Sequence, residues 1–234
     1  SNPDTKIERN DSTLFEFIGM NAEKEPFNNP EFRKAIDLAI DEQAVVDSVY
    51  MGNARYTPNS VTPNMPYYDD SDVEPKYDPE QAKAILQKLG IEEGRTFRFT
   101  IYDDQFKIDA ATVIQSMLNA VGLNIEIQVL EQATFWTTVE SGDSEMFISA
   151  WGAVGFPEPD NNLFGPFHSL QIPNGNICRW RNDEFDQVMT ASRAAPEGPE
   201  REALIIKAQQ IFRAEVPAMT YSNVEQIEIG RAHV

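Results

Sequence analysis

The side chains able to do nucleophilic or acid–base chemistry are few, and their spacing suits it poorly. His168 stands beside Ser169, and a histidine next to a hydroxyl is the raw material of an activated nucleophile. Sequence neighbours seldom form such a pair, however, and no third orienting group is evident. Gly142-Asp143-Ser144 lacks the second glycine of a G-x-S-x-G turn. A loop-edge hydrogen bond is the plainer role for His168; an α/β hydrolase built around it is kept as an alternative. No P-loop and no G-x-G-x-x-G is present. Asp69, Asp70, Asp72 and Glu74 crowd one stretch without the glycine and distal glutamate of an EF-hand, so a solvated acidic turn is favoured. The one cysteine, Cys178, excludes an intrachain disulfide, and its apolar setting reads as a packing thiol. With two histidines besides, no metal site and no cofactor is expected.

Binding is better supported than reaction, and one segment carries it. Trp151-Gly152-Ala153-Val154-Gly155-Phe156-Pro157-Glu158-Pro159-Asp160-Asn161 follows a short apolar strand at 146–150. Trp151 and Phe156 offer flat apolar faces, and the small residues between them let a ligand approach the backbone. Pro157 and Pro159 stiffen the loop, which lowers the entropy lost on binding. A buried tryptophan and a tight packing turn would explain the same residues.

The elements that must position this loop alternate between strands and helices. Residues 12–20 form an apolar strand. Asn29 before Pro30 caps a helix with Phe32, Ala35, Ile36, Ala39 and Ile40 on one face. Asp41 starts a second helix, and Asp78-Pro79 a third that stops at Gly90. Residues 53–77 hold prolines at 58, 63, 66 and 75, which predicts an ordered loop wrapping the domain. Strand 97–102, helix 110–121, strand 125–129, a short helix near 135 and strand 146–150 make two strand–helix–strand units with parallel strands. Helices at 182–194 and 199–215 and a strand at 218–229 complete the chain. In open α/β sheets, ligands sit beyond the carboxyl ends of strands, which is where the Trp151 loop falls.

Composition narrows the partners. The chain has 234 residues, 41% of them hydrophobic, enough for one large domain or two small ones. Its formal charge of −19 argues against nucleic acid, whose binders need cations to displace counterions. No apolar run is long enough to span a bilayer. The chain starts Ser1-Asn2-Pro3-Asp4 and halts at Arg231-Ala232-His233-Val234, which reads as a piece of a longer protein.

Several stretches, taken in order, resemble the extracytoplasmic solute-binding proteins of the oligopeptide/dipeptide/nickel class (family 5) that feed ABC importers. They are Asn28-Asn29-Pro30-Glu31-Phe32-Arg33-Lys34-Ala35-Ile36-Asp37-Leu38-Ala39-Ile40-Asp41, then Val45-Val46 through Gly52-Asn53-Ala54, then Tyr77-Asp78-Pro79-Glu80-Gln81-Ala82-Lys83. Ala150-Trp151-Gly152, Pro159-Asp160-Asn161, Asn176, Asn182, Asp186 and Glu215-Val216-Pro217 follow. The resemblance implies a lobe like that of a type II periplasmic binding protein, α/β, with a mixed, mostly parallel sheet flanked by helices. Residues 1–234 would be the carboxyl-terminal lobe of a two-lobe receptor, with 12–20 and 218–229 as strands near the inter-lobe connection. It also implies a periplasmic or cell-surface lipoprotein that performs no chemistry. Its partners would be an oligopeptide or dipeptide, the amino-terminal lobe of the same chain and an importer permease. In family peptide binders the loop after the tryptophan pairs with the extended ligand, and an Asp three residues on holds its ammonium group. Here that position is Val154, which puts the clamp in doubt, with Glu158 or Asp160 as substitutes. Trp151 and Phe156 would supply apolar surface, Gly152 and Ala153 backbone pairing, and Asn176 and Tyr221 further contacts. The Trp-Gly-Ala opening is also similar to that of nickel-chelate receptors, an alternative of the same fold.

Overall fold

The structure is a computed structural model that describes residues 5–10, 12–91, 94–152 and 157–231. Six strands form one open sheet: β2 (Phe15–Met20), β3 (Ala54–Arg55), β4 (Thr96–Tyr102), β5 (Asn124–Leu130), β6 (Met146–Trp151) and β7 (Ala218–Val224), in the order β3-β7-β2-β6-β4-β5. β5, β4 and β6 pair in parallel, while β2 runs antiparallel to both β6 and β7, and β3 antiparallel to β7. Four of the six strands therefore point one way, and β2 and β3 point back.

Crossover handedness puts helices on both faces. β4 passes through α4 (Gln105–Ala120) to β5, and β5 returns through α5 (Gln132–Ser141) to β6 on the other side of β4. Right-handed connections in opposite directions must use opposite faces. One core packs Ile18 and Met20 of β2 against α1 (Pro30–Ala39), α2 (Glu42–Tyr50), α3 (Pro79–Leu89) and α4. The other packs Phe15 and Phe17 against α5, α6 (Pro159–Phe167), α7 (Asp183–Ala194) and α8 (Pro199–Glu215). The two-residue alternation of β2 thus feeds two separate cores.

Local chemistry fixes the helix ends. Asn29, Asp41, Asp78 and Asn182 each accept a bond from a first-turn amide of α1, α2, α3 and α7, and Gly90 closes α3 in the left-handed region at φ 63°. Two expectations need correction. α4 starts at Gln105, five residues before 110, because Asp104 accepts from Lys107 N at 3.1 Å and caps a polar first turn. The expected strand at 218–229 breaks at Glu225: β7 lies in the main sheet, and β8 (Gln226–Arg231) pairs antiparallel with β1 (Thr5–Asn10) in a separate ribbon. The segment from Tyr56 to Tyr77 has no regular strand or helix but is clamped to α8. Arg213 reaches Asp69 at 2.6 Å and Asn59 at 2.8 Å, and Gln209 donates to Tyr67 O at 2.8 Å.

Candidate functional site

The carboxyl ends of β4, β5 and β6 define one rim of the sheet, and Trp151 is the last residue of β6. Its indole lies against α6: Nε1 donates to Asn161 O at 2.8 Å, and a Cβ on Gly165 would fall 2.7 Å from Cζ2. Trp151 as a whole is half-buried. At Gly152 the close approach is made by the protein's own backbone. A Cβ there would sit 2.6 Å from Leu14 Cα and 2.9 Å from Thr13 O. Ala153, Val154 and Phe156 lie outside the described residues.

Glu158 and Asp160 are both engaged by arginines. Glu158 caps α6, accepting from Asp160 N at 3.4 Å, and binds Arg201 of α8 at 2.6 Å. Asp160 faces Arg193 of α7 at 3.4 Å, whose guanidinium also lies 4.0 Å from the Phe164 ring centroid. Burial pushes the Asp160 carboxyl above its usual range, and Arg193 partly offsets this. These carboxylates tie α6 to α7 and α8 through ion pairs, and Asp160 Oδ1 makes no hydrogen bond.

Asn176 and Tyr221 belong to the scaffold. Asn176 is fully buried; its amide donates to Phe167 O at 2.9 Å and Trp180 O at 2.8 Å and accepts from Trp180 N at 3.3 Å. Tyr221 is also fully buried, beneath the rim, with its hydroxyl 3.4 Å from Glu16 Oε2. Neither reaches the surface, which corrects their expected part in ligand contact. His168 is buried and occupied too. Nδ1 accepts from Leu170 N at 3.1 Å, Nε2 meets Thr190 Oγ1 at 3.4 Å, and the ring lies 4.2 Å from that of Phe164. Ser169 bonds to Asp186 rather than to the imidazole, and Asp186 also lies 3.6 Å from His168 Nδ1, so His168 is not placed as the base of this hydroxyl.

A polar hub under the rim was not foreseen. Glu16, in the middle of β2, accepts from Lys107 Nζ at 2.9 Å, from Ser222 Oγ at 2.8 Å and from the Tyr50 hydroxyl. Burial pulls the Lys107 ammonium down, but Glu16 and Tyr102 outweigh it and hold the pKa above its usual value. The signal in the sequence was a glutamate inside the apolar run Leu14-Phe15-Glu16-Phe17-Ile18.

The hub supports an apolar rim. Tyr50 stacks on Phe106 with centroids 5.7 Å apart. Of the six exposed large hydrophobic residues among those described, Leu14, Met51, Phe106 and Val129 lie at this end of the sheet. The ribbon leaves from the same end. Phe15 is opposite Trp151 and Asn223, and the chain runs from β1 into β2 and from β7 into β8 there.

Known proteins share this architecture. Residues 1–174 match the family model for bacterial extracellular solute-binding proteins, family 5 middle. A dipeptide-binding protein of Pseudomonas aeruginosa is 26% identical over 208 residues, covering 86% of this chain and 38% of its own length. Heme-binding protein A of Haemophilus influenzae is 28% identical over 206 residues, with coverage of 86% and 38%. Among solved structures, the periplasmic binding protein DppA of Helicobacter pylori in complex with the peptide STSA superposes with a TM-score of 0.89. Its identity is 25%, covering 98% of this chain and 45% of that one. The chain therefore spans less than half the length of these relatives. With a model matching well over half of its residues and a mixed α/β sheet common to solved type II binding proteins, the chain belongs to the family 5 bacterial extracellular solute-binding proteins.

Proposed function

We propose that this chain is the ligand-capturing lobe of an ABC importer's receptor for oligopeptides or dipeptides, closed in the whole protein by an amino-terminal lobe seated on the rim. The observation that carries the reading is one coincidence. The carboxyl ends of β4, β5 and β6, the exposed Leu14, Met51, Phe106 and Val129, and both strands of the β1–β8 ribbon all meet at a single edge. Exposed apolar residues gathered at one place mark a surface that something covers, and a two-stranded link at the same place supplies the partner. The peptide-binding names of the relatives support the ligand class.

In this reading Trp151 walls the ligand. The backbone from Gly152 through Ala153 and Val154 pairs with an extended peptide, and Phe156 adds apolar surface. Pairing to main-chain groups tolerates many sequences. Since Glu158 and Asp160 are neutralised by Arg201 and Arg193, the ligand's ammonium group is held outside this pair. Residency in the periplasm or at the cell surface, lipid anchoring and docking to a permease belong to the same proposal. In this reading the protein binds and performs no chemistry, as the solute-binding family implies.

Titration calorimetry of the two-lobe protein with mixed di- and oligopeptides tests this. Binding heat with peptides, lowered about tenfold in affinity or more by Trp151→Ala, is expected, a loss of roughly 1.4 kcal/mol. Silence across peptides with heat from a nickel chelate would reject the peptide class in favour of the nickel alternative.

A further inference from the structure

The corner between α1 and α2 holds ionisable groups that ligand capture does not use. Asp37, in the last turns of α1, and Glu42, the first residue of α2, line a cavity of about 40 Å³. That is room for little more than a water or two. The cavity runs along β7 at Ala218–Thr220, where the two-residue β3 pairs only with Asn223 and Val224 and no described strand pairs with that edge. Tyr56, Asp72 and Lys76 of the wrapping loop close it from outside.

Two buried polar atoms at this cavity lack partners. Glu42 is 4% exposed, and its Oε2 has no hydrogen bond; Thr220 Oγ1, from the other wall, has none either. A buried carboxylate with an unsatisfied oxygen is costly unless a cation or a proton neutralises it. Of the cations that line the cavity, Lys76 pairs with Asp72, itself on the cavity wall, at 2.5 Å, and Arg213 with Asp69 at 2.6 Å. Among the described residues no group of three acidic or histidine side chains is placed to hold a metal ion.

We propose that Asp37 and Glu42 form a proton-binding site, whose bound proton lets the wrapping loop close over the edge of β7. The surroundings agree from every side. Burial pushes both carboxyls up, Asp37 to about 6 and Glu42 well above its usual value, with Asp37 itself and Asp41 adding to the push on Glu42. On Asp37, Lys76 and Lys34 pull down, while Asp72 pushes up. The Tyr56 phenol, raised first by burial and then by Glu42, stays protonated and cannot accept the proton. A carboxyl raised by folding takes up a proton as the chain folds. Its contribution is fully present below the unfolded pKa and is lost as pH rises through about 6 and beyond.

The test follows unfolding and amide exchange of the protein between pH 5 and pH 8 in 0.5 M salt. High salt screens exposed charge, while the buried Glu42 is largely unscreened. The folding constant is expected to fall roughly tenfold or more over this range, one unit of pKa difference being worth a factor of ten. Amides of residues 56–76 are expected to exchange faster over the same interval. Glu42→Gln should flatten both responses, and Asp37→Asn provides the same test should the first variant fail to fold. An equal pH slope in wild type and variants overturns the proposal. So does stabilisation at pH 8 by calcium or sodium chloride that Glu42→Gln abolishes, which would put a metal ion in the proton's place.

Discussion

Gly152 shows how a residue chosen for ligand contact can instead be required by the fold. The missing side chain makes room for Thr13 and Leu14 beside it, so Gly152→Val must push two backbone segments apart. Overpacking of this kind costs about 1–3 kcal/mol, and urea unfolding should show a loss in that range; an unchanged midpoint would mean that the loop moves freely. Asn176 makes the same point for a polar group. Asn176→Ala strands the Phe167 carbonyl and both backbone groups of Trp180 in the interior, a loss of about 2 kcal/mol or more, without touching the rim. Peptide affinity of the two-lobe protein is expected to stay the same while the unfolding midpoint falls. Sequence could single out Trp151 and Asn176 because residue type and position are local facts. It could not tell the half-buried one from the sealed one, because burial is decided by α6 and the 176–180 turn folding back from elsewhere in the chain.

Among the elements, β2 and α4 are joined by the Glu16–Lys107 pair, which is buried on both sides. Removing one member of such a pair leaves a charge without compensation and costs about 3–5 kcal/mol. Lys107→Met should therefore destabilise strongly. Adding Glu16→Gln should recover part of the loss, and a double-mutant cycle in chemical unfolding measures the difference. Because the folded pKa of Lys107 is raised, the pair's contribution is present below the ordinary lysine pKa and is lost as pH climbs through the folded value. Most helix starts were readable because Asn29, Asp41, Asp78 and Asn182 announce themselves by type, with the proline that follows two of them. The exceptions have physical causes. The first turn of α4 is polar before its apolar stripe begins at Ala110, and α6 was not read as a helix because Gly165 and Pro166 interrupt its sequence. β3 is two residues long, too short to have any period.

At the level of the whole molecule, the rim decides what the chain can do alone. Its exposed apolar residues and the Trp151 wall make up one side of the proposed binding cleft, with the other side supplied by the amino-terminal lobe. The 234-residue chain by itself is expected to bind peptide at least about a hundredfold more weakly than the two-lobe protein, roughly 2.7 kcal/mol. Equal affinity in a side-by-side calorimetric titration would show that the second lobe contributes nothing. The α/β architecture, with parallel strands joined by helical crossovers, was legible from the spacing of strands and helices. The direction of β2 was not, because nothing in Phe15–Met20 records that its neighbours β6 and β7 arrive from more than a hundred residues downstream.

The pairing of Thr5 with Arg231 and of Asn10 with Gln226 brings the way in and the way out of the body side by side. Everything between them hangs from a single two-ply strap, like a pendant whose both threads pass through one eyelet. Such an attachment makes the intervening stretch transferable. The same segment could be grafted between two adjacent positions of an unrelated protein without any thread having to cross another.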